Sequence, residues 1–272
     1  MALEWGTMTT NTQSLTTISE TQPLTGRTAI ITGASSGIGE ATAEQLAAAG
    51  ATVILTARRQ DRIDTLAQRI GDDGGTAHAI ALDVTEAAAV DDVAKHVADE
   101  IGRVDLVFAN AGVMLPEPIE NRRVDQWDHQ IDLNLKGLMY TIGAFVPALV
   151  EAGNEGGPAD LILTSSIAAQ HLYPGFAVYS ATKAYVSHLA DHLRTELGSK
   201  FVRTTAIEPG IVATELQSHV TDKGAEEWLA NAFQEMEVLA PEDIARVVTF
   251  IAAQPRHVNL SHVRILATQQ QS

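Results

Sequence analysis

The sequence predicts a doubly wound α/β fold, a parallel sheet of about seven strands with helices on both faces. Short β-branched apolar runs without polar alternation recur along the chain, as strands buried on both faces require. They alternate with longer stretches whose apolar residues fall at helical spacing. The alternation runs unbroken to the end of the 272 residues, so residues 25–272 read as one domain.

The first strand is Thr28 to Thr32 (TAIIT), followed at once by a Gly-rich turn. An Ala-rich helix then runs from Gly37 to Ala49, stopped by Gly50 as a C-terminal glycine stops a helix. The next elements are a strand at Thr52 to Thr56, a helix at Asp61 to Ile70 and a strand at Ala77 to Leu82. A helix at Glu86 to Ile101, a strand at Asp105 to Ala109 and a long helical stretch at Val124 to Val150 follow. Beyond the Gly-rich loop Gly153 to Pro158 come a strand at Leu161 to Thr164, a helix at Val178 to Leu197 and a strand at Arg203 to Glu208. A helix at Pro241 to Ala253 and a strand at Val263 to Leu266 close the pattern.

Residues 1–24 are rich in Thr, Ser and Gln and fit neither a secretory signal nor a mitochondrial presequence, so they read as a disordered tail. No apolar run approaches the roughly 20 residues needed to cross a bilayer, and no membrane association is expected. The chain has no cysteine, which excludes disulfides, thiolate metal sites and a cysteine nucleophile, and suits a reducing cytoplasm. With 34 acidic against 18 basic residues and a net charge of −16, it lacks the cationic stripe that nucleic acid requires.

In such folds ligands lie beyond the carboxyl ends of the strands. The first turn reads Gly33-Ala34-Ser35-Ser36-Gly37-Ile38-Gly39 between a strand and a helix, where glycines let the backbone approach a pyrophosphate that the helix N–H groups then meet. After the second strand stand Arg58 and Arg59, where an NAD-dependent protein places an acid for the ribose 2′-hydroxyl. Two guanidinium groups there suit a 2′-phosphate and predict NADP(H) rather than NAD(H). The alternative is an exposed basic helix start, and Arg62 fits either view. Asp83, followed by Val84, is placed either to accept from the adenine amino group or to cap a helix. Tyr179 and Lys183 share a helix face at i, i+4, so the ammonium is expected to lower the phenol's pKa and make it an acid–base group.

Together these motifs resemble the short-chain dehydrogenase/reductase family. The match comprises the Gly33/Gly37/Gly39 turn, Asn110-Ala111-Gly112, Asn134, Ser166, Tyr179 with Lys183, and Pro209-Gly210, in order, from about Leu24 to Ala267. The resemblance implies a Rossmann-like fold and interconversion of a carbonyl and an alcohol by hydride transfer. It further implies that Ser166 donates to the substrate oxygen, Tyr179 exchanges its proton, and Lys183 holds the nicotinamide ribose. Asn134 would anchor a water reaching Lys183, its plainer alternative being a capping amide. Asn110 with Ala111 and Gly112 would support the sheet beside the cofactor, and Ser35, Ser36 and the Ile38 N–H would line the phosphates. Val84, Pro209, Gly210, Val212 and Thr214 would complete the enclosure, with the Thr214 hydroxyl near the nicotinamide amide or the phosphates. The Tyr–Lys spacing is that of the main branch, not the enoyl-reductase branch, and Ala109 and Ala169 depart from residues common in the family. The late stretches Pro241 to Ala245 and His257 to Leu266 resemble a subgroup with clavulanate dehydrogenase and bacterial 3-hydroxy acid or serine dehydrogenases. A homodimer or homotetramer is expected by the same resemblance.

The substrate walls are expected at Val113 to Pro116, at Ala168 to Phe176 and in a mobile lid carrying Leu216, His219 and Trp228. These segments carry no Arg, which points to a neutral aldehyde, ketone or secondary alcohol. His188 and His192 are spaced for a metal but lack a third ligand, so none is expected. A non-catalytic NADPH sensor would be expected to lose part of the Ser166, Tyr179 and Lys183 set, and a purely structural module would not need the glycine turn.

Overall fold

A computed structural model describes residues 22–270. Seven parallel strands form one sheet in the order β3-β2-β1-β4-β5-β6-β7. They are β1 Thr28–Thr32, β2 Thr52–Ala57, β3 Thr76–Ala81, β4 Leu106–Ala109, β5 Asp160–Thr164, β6 Arg203–Pro209 and β7 His262–Ile265. The helices are α1 Gly37–Ala48, α2 Gln60–Asp72, α3 Ala87–Glu100, α4 Val124–Ile131, α5 Leu138–Asn154, α6 Ala177–Leu197, α7 Lys223–Glu235 and α8 Pro241–Ala252. Most boundaries fall within one or two residues of those expected.

Strand geometry explains the two cores, because successive side chains point to opposite faces. Ala29, Ile31, Val53, Leu55, Leu106 and Phe108 pack with α1, α2 and α8 on one face. Ile30, Ile54 and Val107 face α3, α5 and α6 on the other. Each large side chain so buried contributes about 1.5–3 kcal/mol, and this two-sided burial is why the inner strands read as unbroken apolar runs.

The starts of the central strands are tied by a buried charged knot. Asp160 receives both Nε and Nη2 of Arg203 at 2.7 Å and Nη2 of Arg27 at 2.8 Å. Arg27 Nε also donates to Asp105 at 2.8 Å. The knot sits at the strand ends opposite to those that carry the glycine turn.

Four expectations need correction or refinement. Leu24 does not belong to a tail: it is 1% exposed and its N–H bonds to the Ala49 carbonyl, so the fold takes up residues 22–24, while residues 1–21 lie outside those described. The long helix is two α-helices joined by a π-helical segment, Asp132–Gly137, which contains Asn134. The whole stretch Val124–Asn154 is, against expectation, long and apolar enough to cross a membrane by length and composition, with 39% of its apolar window buried in this fold. That apolarity serves the core, where Leu138, Ile142, Phe145 and Leu149 of α5 pack on the sheet. Finally, α7 lies within the region expected to be a lid; Asp222 caps it by accepting from Ala225 N at 2.8 Å.

Candidate active site

The carboxyl ends of β1 to β6 open into one cleft of about 400 Å³. Of the expected site residues, Gly33, Ser35, Ser36, Gly37, Ile38, Arg58, Arg59, Asp83, Val84, Asn110, Ala111, Gly112, Ser166, Tyr179, Lys183, Pro209, Gly210, Val212 and Thr214 all line it. Gly39 and Asn134 stand behind the wall.

Sterics fix the glycine turn. A Cβ on Gly39 would lie 2.2 Å from the Gly33 carbonyl, and one on Gly33, whose φ is +70°, would lie 2.9 Å from Ala111 Cα. The turn therefore packs helix to strand at backbone contact. Ser36 occupies the N-cap of α1 but makes no side-chain cap, and among the described residues no side chain accepts from the first N–H groups of that 12-residue helix. An uncapped helix start behind a glycine turn fits a pyrophosphate.

At the outer end Arg58 is exposed and makes no hydrogen bond or ion pair among the described residues, whereas Arg59 is engaged. Arg59 donates to Ser35 Oγ at 2.8 and 3.1 Å, to Ser36 Oγ at 2.9 Å and to Glu215 at 2.9 Å. Arg62 binds the same carboxylate at 2.6 Å, and the two arginines hold the Glu215 carboxyl down at about 2. Asp83 accepts from the Thr85 amide and hydroxyl, a local turn and not a cap of α3, whose N-cap is Glu86. Burial pushes the Asp83 carboxyl up, but the Thr85 hydrogen bonds and nearby Arg58 prevail and hold it below the usual range.

Asn110 braces the strand ends: its Nδ2 donates to the Thr32 carbonyl at 3.3 Å and its Oδ1 accepts from Thr164 Oγ at 3.3 Å. Asn134, 3% exposed, uses its amide fully, accepting from Val113 N at 2.8 Å and donating to Val113 O at 2.9 Å and to Thr182 Oγ at 3.1 Å. Its side chain thus fixes the loop after β4 and brings no atom to the cleft. Gly112 lies between Asn134 and Lys183: a Cβ there would be 3.2 Å from Asn134 Oδ1 and 3.6 Å from Lys183 Nζ.

Ser166, Tyr179 and Lys183 converge at the centre, each under a tenth exposed. Lys183 Nζ donates to the Thr164 carbonyl at 2.9 Å and lies 5.7 Å from the Tyr179 ring centroid. Here the expected pKa relation is corrected. Burial pushes the Tyr179 phenol up to about 12, the Ser166 hydroxyl pulling only weakly the other way, and burial lowers Lys183 to about 8. Burial thus shifts each group towards its neutral form, the phenol fully so at neutral pH and the lysine only in part.

The Thr214 hydroxyl caps the short 3₁₀ helix Glu215–His219, accepting from Leu216 N at 3.2 Å. Its methyl side rests on Gly37, where a Cβ would lie 3.0 Å from Thr214 Cγ2, so the hydroxyl is engaged by the 3₁₀ helix. The segment expected to form a lid is rooted by backbone bonds from Ala213 N to Leu239 O and from Leu239 N to Ile211 O. Beside Tyr179 the wall consists of Met114, Ala168, Tyr173, Phe176, Leu216, His219, Trp228 and Leu229, with no Arg. Ring centroids of Tyr173, Phe176 and Trp228 lie 5.4 to 5.9 Å apart. His188 and His192 stack edge to face at 4.7 Å, and no group of three metal-ligating side chains gathers among the described residues.

Sequence reasoning missed Glu215, Gln270 and Thr164. Gln270 Oε1 accepts from Ile211 N at 3.1 Å and fills the space over Gly210. No local pattern marks Glu215, which meets an arginine 156 positions away.

Residues 27–225 match the model of the family described as short chain dehydrogenase. Uncharacterized oxidoreductase Lin0452 of Listeria innocua is 37% identical over 243 residues, covering 89% of this chain and 96% of that protein. Glycine betaine reductase ATRR of Emericella nidulans is 35% identical over 243 residues; the match covers 89% of this chain but spans only 19% of that longer protein. The closed form of a serine dehydrogenase complexed with NADP+ superposes with a TM-score of 0.82 at 33% identity, covering 90% of this chain and 96% of that one.

Proposed function

The chain belongs to the short-chain dehydrogenase family, and from that premise we propose that this oxidoreductase uses NADP(H) to interconvert a neutral aldehyde or ketone and its alcohol. One observation carries the reading: Ser166, Tyr179 and Lys183 meet in the same cleft as an uncapped helix start and an arginine that has no partner among the described residues. The α1 N–H groups behind Gly33, Gly37 and Gly39 would take the pyrophosphate, Arg58 and Arg59 the 2′-phosphate, and Asp83 the adenine. NADP(H), when bound, supplies or accepts the hydride at the substrate carbon.

The remaining chemistry belongs to side chains. Ser166 donates to the substrate oxygen and holds it before Tyr179. With its pKa raised to about 12, the phenol is protonated at neutral pH and stands ready as the acid for reduction. As the proton leaves, the Lys183 ammonium stabilises the phenolate. The apolar walls exclude water and offer no cation to an anionic substrate. The test is NADPH consumption across an aldehyde and ketone panel. Tyr179→Phe should lose about 10²- to 10⁴-fold in turnover while still binding the dinucleotide; undiminished turnover would overturn the reading.

A second substrate reading rests on the aromatic wall. Tyr173, Phe176 and Trp228 beside Tyr179 suit a quaternary ammonium group, since ring faces attract cations within about 6 Å, and one relative is named a glycine betaine reductase. A trimethylammonium aldehyde in the same panel, reduced faster than its neutral isostere, would favour it. The serine dehydrogenase similarity supports the narrower subgroup seen in the late sequence stretches. We also assign the chain to a homodimer or homotetramer in a reducing cytoplasm, supported by exposed Ile131, Met139 and Tyr185 and by the absence of cysteine; light scattering tests the assembly.

A further inference from the structure

The lid carries its own anion for the cofactor's arginines. Glu215 is the first residue of the 3₁₀ helix that also presents Leu216 and His219 to the substrate side of the cleft. Its two carboxylate oxygens are divided between Arg59, at 2.9 Å, and Arg62, at 2.6 Å. Arg59 in turn grips both serine hydroxyls of the glycine turn. One carboxylate therefore stands where basic groups converge, on a segment whose neck is held shut by the Val212–Leu239 bridge. Resting on the NADP(H) reading above, we infer that Glu215 is an internal counter-anion that competes with the 2′-phosphate for Arg59 and Arg62 and so limits the preference for NADP(H) over NAD(H).

The competition follows from charge. A phosphate entering between Arg58 and Arg59 meets one cation without a partner and one already neutralised, and a carboxylate beside a phosphate dianion repels it. NAD(H) has no group to contest the arginines and leaves the clasp closed. All three side chains are 41% to 44% exposed, so solvent screens the pairs and the effect is modest. Because the clasp belongs to the lid, the 2′-phosphate acts on the same helix that walls the substrate.

Dissociation constants for NADPH, NADH and 2′,5′-ADP are measured by fluorescence on the parent and on Glu215→Gln. The variant should bind NADPH and 2′,5′-ADP about three- to tenfold more tightly, with NADH within about twofold. Glu215→Ala carries the same expectation should the Gln variant fold poorly. Glu227→Gln removes an equal charge from exposed α7, where Glu227 makes no ion pair among the described residues, and should leave the ratio unchanged. An unchanged or lowered NADPH-to-NADH preference in Glu215→Gln, or an equal effect of Glu227→Gln, overturns the competition while leaving the NADP(H) reading standing. A parent that prefers NADH overturns both.

Discussion

Replacing Lys183 with Met should raise the stability of the fold while abolishing turnover. Lys183 is 6% exposed, and burial lowers its pKa from 10.5 to about 8. At about 1.4 kcal/mol per unit, that shift corresponds to about 3.5 kcal/mol by which the charged amine opposes folding near neutral pH. Met has a similar length and no charge, but it forfeits the hydrogen bond to the Thr164 carbonyl at 2.9 Å, which returns about 1.5 kcal/mol. The net gain is about 2 kcal/mol, or a rise in Tm of roughly 4–8 °C for a domain of this size. The pH dependence supplies the control. Because the folded pKa lies below the unfolded one, the penalty is complete below about 8, shrinks as pH rises towards 10.5 and is absent above it. Thermal unfolding of dinucleotide-free parent and variant at matched concentration should therefore show a gap that closes at about pH 9.5 and reverses above it, by about 1.5 kcal/mol once the amine is neutral in both states. A variant less stable than the parent near neutrality, or a gap indifferent to pH, would refute the claim that a buried ammonium is held here at a cost.

Two further outcomes follow from the cleft. Arg58→Ala should weaken NADPH binding about 10- to 100-fold, the worth of a charged hydrogen-bond pair, and leave NADH nearly untouched; equal losses for both dinucleotides would remove Arg58 from the phosphate site. Gly39→Ala should lower Tm and weaken NADPH, because the new Cβ would sit 2.2 Å from the Gly33 carbonyl and overpacking of this kind costs about 1–3 kcal/mol. Gly71→Ala on α2, where nothing stands within 4 Å, is the matched change expected to be neutral or stabilising.

The inner strands were legible because each is buried on both faces and bounded by turn residues, as TAIIT at Thr28 to Thr32 is, whereas the edge strands β3 and β7 are half exposed and were read from the alternation of elements. The helices were legible from their period and their stops, Gly50 at φ +98° being one. What escaped depended on partners far along the chain. Leu24 looks like one apolar residue in a polar tail until α1 and β2 cover it. The π-helical segment around Asn134 has the composition of ordinary helix, and only its packing on the loop after β4 reveals it. The helix α7 did carry a signal, Asp222 as N-cap, but Gly224 in its first turn obscures it. The trio proposed to be catalytic was visible as residues, yet its electrostatics were not. Spacing shows that Tyr179 and Lys183 share a face, but not how little water reaches them.

The knot of Arg27, Asp105, Asp160 and Arg203 has a consequence for how this protein can change. It clamps the sheet at the pole away from the chemistry, so the scaffold's rigidity and the cleft's composition are set by separate sets of residues. Laboratory diversification of Leu216, His219 and Trp228 can then explore new substrates without loosening the frame, whereas even conservative exchange at Asp160 would be felt throughout.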